Sequence, residues 1–457
     1  MAQQQAQLVT MERREVTGDP LLMGRYASGL AAYVLPKAHF RQKYAVVAVR
    51  YGSVDSRFRR ADQAQPLEVP AGIAHFLEHK MFEKEDGDLF SRFARLGASA
   101  NAYTSYTTTA YLFSTVEHFE EALELLIRLV REPYFTEESV RKEQGIIEQE
   151  IRMYEDDPGR CLVVNLMQAL YHVHPVRLEI GGTVESIRQI DPSLLYMCHR
   201  TFYHPANATL AVAGDVDPQR VWELAGRLAA DGEGHAVERW DPEEPEPVRE
   251  ARVEMRLPVS RPRLALGIKD PRRGLEGIEL VRRELAVNLA LDAVLGRSSD
   301  TFQALYEEGL IDDGFGGRYA CDTRFAHTII GGETPDPDRL ERRLKDILLQ
   351  AAERGVDPET FERLRRRELG EFVAAMDNPE MVANSLAILH FRGVTVTDYL
   401  DVLQRLDHRD ASEALRDHVA EARMAVSVVL PGGRAQARAD GTGAPGQPGG
   451  ARADAPR

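Results

Sequence analysis

Residues 136–154 read TEESVRKEQGIIEQEIRMY. Thr136 followed by Glu137 and Glu138 marks a helix start. A hydroxyl there caps free backbone amides, and acids in the first turn suit the positive end of the helix. Val140, Glu143, Ile147, Glu150 and Tyr154 then recur at helical spacing. Two glutamates thus occupy a stripe that belongs to the core, and a buried carboxylate is costly unless it is paired or bound to a metal. The elements around this helix recur in order. Upstream, the pattern predicts a strand at 44–51, helices at 72–82 and 87–96, strands at 100–104 and 109–116, and a helix at 119–131. Further on come a strand at 263–268, helices at 284–295 and 299–308, a strand at 327–331, a helix at 338–352, and a long helix opened by Asp357-Pro358-Glu359. Each run closes on a strand, at 209–213 and at 425–430, and matching elements lie roughly 215 residues apart. The chain reads as two copies of one α+β unit.

The expected boundaries are a flexible segment at 1–18, a first domain at 19–230, a second at 251–431, and a disordered Gly/Ala/Pro/Arg-rich tail at 432–457. Between the domains, 231–250 (DGEGHAVERWDPEEPEPVRE) keeps no period and reads as a linker. With 457 residues, 43% of them hydrophobic, each unit can bury its own core. The net charge of -15 argues against nucleic acid and anionic lipid as partners. No stretch suggests a secretory signal or a membrane span. Cys161, Cys198 and Cys321 are isolated from one another, which points to free thiols in a reducing cytoplasm.

The helix at 72–82 reads GIAHFLEHKMF. His75 and His79 lie four apart on one face, with Glu78 beside them. Two imidazoles at this spacing can hold one zinc ion, in the H-x-x-E-H order. A catalytic zinc needs a third protein ligand, and the stripe offers Glu143 or Glu150. Local pattern does not choose between them; the other would support the site from outside.

In these stretches the sequence resembles the insulinase/pitrilysin (inverzincin) metallopeptidases, in the bacterial branch similar to mitochondrial processing peptidase. The resemblance is carried by GIAHFLEHKMFEKEDGDLF, GASANAYTSYTTTAYLFST, EESVRKEQGIIEQEI, HPVRLEIGGTVESI and FYHPANATLAVAGDVD, in family order across 47–217. It implies a clamshell of two homologous α/β sandwich-type domains, with mixed or antiparallel sheets and helices on one face. The family's metal glutamate lies some seventy residues after the second histidine, which selects Glu150 as ligand and Glu143 as its support. Glu78 becomes the general base of a zinc endopeptidase acting on extended or unfolded peptides. Asn101 and Ala102 fall on the substrate-binding edge strand, and Phe82 on the pocket just past the cleaved bond. The helix at 284–295 takes the place of the metal helix in the second unit and has no histidine, so one zinc per chain is expected.

Active relatives also use an Arg and a Tyr seven residues apart in the second unit. The matching stretch, FQALYEEGLIDDGF at 302–315, has Tyr306 and Asp312 or Asp313 at about those positions. Arg318-Tyr319 lies just beyond and reads as a strand pair. The resemblance therefore implies the zinc subunit of a heterodimer whose zinc-less homologue supplies Arg and Tyr, or a homodimer with other donors. The alternative is a catalytically silent structural or assembly subunit of the same fold.

Overall fold

The structure, a computed structural model, describes residues 7–230 and 236–432. Seven strands form the first sheet: β1 (Leu8–Val16), β2 (Asp19–Tyr26), β3 (Ala31–Pro36), β4 (Lys43–Val49), β5 (Ser99–Thr104), β6 (Thr109–Thr115) and β7 (Ala208–Gly214). Their order is β1-β2-β3-β7-β4-β6-β5. The second sheet holds β8 (Arg252–Leu257), β9 (Arg263–Lys269), β10 (Gly316–Cys321), β11 (Ala326–Glu333) and β12 (Met424–Pro431), in the order β8-β12-β9-β11-β10. The last strand of each half enters between two others. β7 runs parallel to β3 and antiparallel to β4, and β12 runs parallel to β8 and antiparallel to β9. The five-strand order is the same in both halves, so the repeat seen in sequence is a repeat of topology.

Strand β4 (KYAVVAV) is apolar without alternation because it is buried on both faces. Ala45, Val47 and Val49 face the first half's own helices, whereas Tyr44, Val46 and Ala48 face the other way. That second face is covered from across the molecule. Helix α3 (Pro158–Leu170), from the first half, lies over β9 and β12; helix α5 (Pro379–Phe391), from the second half, lies over β4 and β7. Gly267 on β9 makes the approach of α3 possible, since a Cβ there would meet the side chains of Leu166 and Leu170. The expected helices on one face are therefore present in each half, and the opposite face carries a helix exchanged from the other.

Three expectations change. Residues 8–16 are not a flexible leader: they form β1, paired along its length with β2. As an edge strand it exposes most of its side chains, Val9 and Met11 included, so no burial pattern announced it. Nor is 231–250 a plain linker. Residues 231–235 lie outside the described residues, but Val237–Arg239 pairs with Arg57–Arg60, and Glu244 is buried. Arg239 and Arg324 both reach the buried Asp55, at 2.8 and 2.7 Å, and Arg324 also pairs with Asp241, which ties the segment to both halves. Finally, the helix expected at 284–295 begins seven residues earlier, as α4 (Gly277–Leu295). Arg283 concealed its start: it is buried inside the helix stripe because Asp270 neutralises it at 3.0 Å. The expected disordered tail, from 433 onward, lies outside the described residues. Among the described residues no helix is long and apolar enough to cross a membrane.

Candidate metal centre

Helix α1 (Ile73–Lys80) carries the H-x-x-E-H residues and starts at Gly72, whose φ of 90° favours glycine. A Cβ on Gly72 would strike the carbonyl of Gly181, and one on Gly182 that of Ala71. These glycines let the loop at 179–183 close against the start of α1, beside His75. Helix α2 (Glu137–Glu155) packs against α1, capped by Thr136 and Ser139 in a reciprocal capping box.

His75, His79 and Glu150 converge so that one donor atom from each lies within 4.8 Å of the others. Among the described residues no other group of three His, Cys, Asp or Glu side chains does this. Glu150 stands between the imidazoles: Oε1 is 3.7 Å from His75 Nε2, and Oε2 is 3.6 Å from His79 Nε2. Donors around a tetrahedral zinc, with bonds of ~2.0–2.1 Å, sit about 3.3 Å apart, so these three atoms would have to close in from separations of up to 4.8 Å to hold an ion. Glu143, two turns earlier on the same face of α2, is not among the three converging ligands. Its Oε1 lies 3.1 Å from His79 Nδ1. The donor set fits zinc: Nε2 of each histidine faces Glu150, and Glu143 stands where a His79 Nδ1–H would donate to it.

The electrostatics agree with this division. Burial and the neighbouring His79 hold His75 down at about 4, leaving the neutral imidazole that metals bind. Burial also lowers the pKa of His79, but the hydrogen bond to Glu143 and the charges of Glu78, Glu143 and Glu150 outweigh it, and the net shift is upward. Glu78 is buried and stays out of the donor triangle. Burial raises its pKa, against a hydrogen bond of 2.6 Å that Thr104 Oγ1 donates to its Oε2. Thr104 was not singled out from sequence. Its signal was the strand period, which puts it on the same face of β5 as Ala102.

A cavity of about 740 Å³ opens beside Glu78 and His79, lined by Phe82, Phe90, Asn101, Ala102 and Glu143 among others. Phe82 stacks on Phe90 at 3.8 Å. β5 ends its sheet, so its outer edge is open among the described strands. The Ala102 N–H points along that edge and is taken by Asn101 Oδ1 at 2.9 Å. Among the described residues, no side chain of the second half joins the group of three converging ligands. Tyr306 is stacked on Phe302, and Tyr319 lies buried on β10 with its ring against His418.

Residues 68–184 match the insulinase domain of peptidase family M16, and residues 189–368 match the domain described as the M16 inactive domain. An uncharacterized zinc protease of Bacillus subtilis, YmfH, is 41% identical over 411 residues, covering 89% of this chain and 96% of that protein. The crystal structure of an M16-like peptidase from Alicyclobacillus acidocaldarius superposes with a TM-score of 0.87 at 38% identity, over 93% of this chain and 99% of that one. Pitrilysin shares the fold at a TM-score of 0.70 and 16% identity; 93% of this chain corresponds to 46% of pitrilysin. The chain belongs to the insulinase family, peptidase family M16.

Proposed function

We propose that this chain is a zinc-dependent endopeptidase for extended or unfolded peptides. His75, His79 and Glu150 hold one zinc, Glu78 is the general base, and Glu143 orients His79. The observation that carries this reading is the convergence of three ligand atoms with a separate, buried carboxylate beside them. Bound zinc supplies Lewis acidity, which acidifies water and polarises a peptide carbonyl. The protein does the rest. Thr104 engages Oε2 of Glu78, which leaves Oε1 to take a proton from the attacking water and to pass it to the leaving amine. A peptide adds to the open edge of β5 as a further strand, and its carbonyl displaces Asn101 from the Ala102 N–H. Asn101, once freed, can hold the peptide backbone, and Phe82 lines the cavity for the side chain just past the cleaved bond.

The reading extends to a partner. Pitrilysin is about twice the length that this chain covers, and Tyr319 is held inside the second half's core. Both support a zinc-bearing subunit completed by a zinc-less homologue that supplies Arg and Tyr; a homodimer is the competing assembly. Cys198 and Cys321, buried thiols outside any disulfide, support a cytoplasmic location. The test is zinc content with peptide digestion read by mass spectrometry, with and without such a homologue. One zinc per chain and cleavage that rises sharply in the pair are expected. A chain that takes up no zinc would overturn the enzyme reading, and full activity alone would overturn the heterodimer. Glu143→Gln should weaken zinc binding by about 10–100-fold in a chelator competition. Unchanged affinity would remove Glu143 from the site.

A further inference from the structure

The metal helix lies on one face of β5, and the exchanged helix α5 lies on the other side of the same sheet. On β5, Ala100 and Ala102 pack with the core around α1, and Thr104 reaches Glu78. Tyr103 faces the opposite side and packs toward α5, as does Leu112 on β6. Asn384 of α5 fixes Tyr103: its Oδ1 accepts from Tyr103 Oη at 3.4 Å, and its Nδ2 donates to Tyr44 Oη at 2.9 Å. Next to Tyr103, where β5 turns into β6, a cavity of about 260 Å³ runs between the halves. Its apolar walls include Tyr106, Ile388 and Phe391. Arg392 in that wall is engaged by Glu284 and by the Cys321 carbonyl, and Asp322 accepts from Thr107 at 3.0 Å and Thr323 at 3.1 Å. Arg50 also lines the cavity, and its guanidinium makes no hydrogen bond or ion pair among the described residues. Burial and the nearby Arg239 act against its charge and lower its pKa, although the carboxylates of Asp322, Asp55 and Glu276 act in its favour from beyond ion-pair distance.

We propose that this cavity is the subsite for the residue immediately N-terminal to the cleaved bond, and that Arg50 selects an acidic side chain there. The inference rests on the reading that substrate adds to β5. A strand antiparallel to β5 enters from the Tyr106 end and passes the metal toward Ser99. Side chains of a strand alternate between faces. If the residue after the cleaved bond enters the Phe82 cavity on the α1 side, the residue before it points to the α5 side, beside Tyr103 and this cavity. A cavity with apolar walls at Tyr106, Ile388 and Phe391 and a guanidinium that no side chain engages fits a methylene stem tipped by a carboxylate. The chain's net charge of -15 disfavours acidic peptides in general, so preference for an acid at one position alone is a local effect.

The experiment measures binding, independently of turnover, to the full Glu78→Gln chain in the presence of chelator. Labelled unstructured peptides carry Glu, Gln or Lys in turn at each position, and wild-type digestion locates the cleaved bond. Glu is expected to bind about tenfold tighter than Gln at the one position before that bond. Arg50→Met should reduce the difference to within about twofold, and Ile388→Trp, which fills the cavity, should weaken the Glu peptide without touching Arg50. Equal binding of all three peptides, still abolished by Ala102→Pro, overturns the subsite and leaves strand addition standing. Binding that ignores Ala102→Pro, or no binding at all, overturns strand addition and the subsite with it.

Discussion

Glu78→Gln is expected to keep zinc at the wild-type stoichiometry and to lose about a thousandfold of peptidase activity. Glutamine preserves the shape of the side chain, and its amide oxygen can still accept from Thr104 Oγ1. It is not one of the three converging ligands, so metal affinity should change little. What disappears is a carboxylate able to take and return a proton, and positioned acid–base groups of this kind contribute ~10²–10⁴-fold. The check is single-turnover cleavage of an unfolded peptide, in whichever assembly gives the wild type its activity, alongside zinc content. Near-normal cleavage by zinc-loaded Glu78→Gln would move the base elsewhere. Loss of zinc would mean that Glu78 is itself part of the metal-binding set.

The largest effect on stability should come from Glu244→Gln, far from the metal. The Glu244 carboxylate is buried and accepts from the backbone N–H groups of His172, Val173 and His174 at 2.8–2.9 Å, and from Lys269 Nζ at 2.9 Å. Burial alone would raise its pKa, but these donors outweigh burial and hold it at about 2. Removing the charge leaves Lys269 buried beside a neutral amide, at an expected loss of about 3 kcal/mol near neutral pH. The sign with pH follows from linkage. A carboxylate depressed from an unfolded value of ~4.3 contributes stability above that value and loses it as pH falls toward about 2. The gap between wild type and Glu244→Gln in denaturant unfolding should therefore be widest above about pH 5 and narrow on acidification through that window. A gap independent of pH would show that shape, not charge, is what Glu244 contributes.

The sequence revealed most where a local signal and a burial pattern coincide. The Thr136 cap and its apolar stripe located α2 to within a residue, and the helix over 119–131 was bounded as observed. The choice between Glu143 and Glu150 was illegible locally because residues seven apart share a helix face. The family spacing pointed to Glu150, and the positions against α1 now separate the two: one carboxylate stands between two Nε2 atoms and the other meets a single Nδ1. The failures share a cause. Arg283 and Glu244 look like solvated charges in sequence, yet each is buried because a distant residue neutralises it. β1 is ordered by backbone pairing, which leaves no trace in side-chain type. The exchange of α3 and α5 was equally hidden, since an apolar face says that something covers it and not what.

That exchange has a consequence for how the chain can be divided. Severed near residue 235, neither fragment would carry the helix that shields its own sheet: one keeps α3 and the other keeps α5, each made for the opposite half. The arrangement is that of an intertwined dimer whose two chains have become one. The fragments should accordingly be poor folders apart and competent when mixed, and the two repeats form a single cooperative unit despite their duplicated topology.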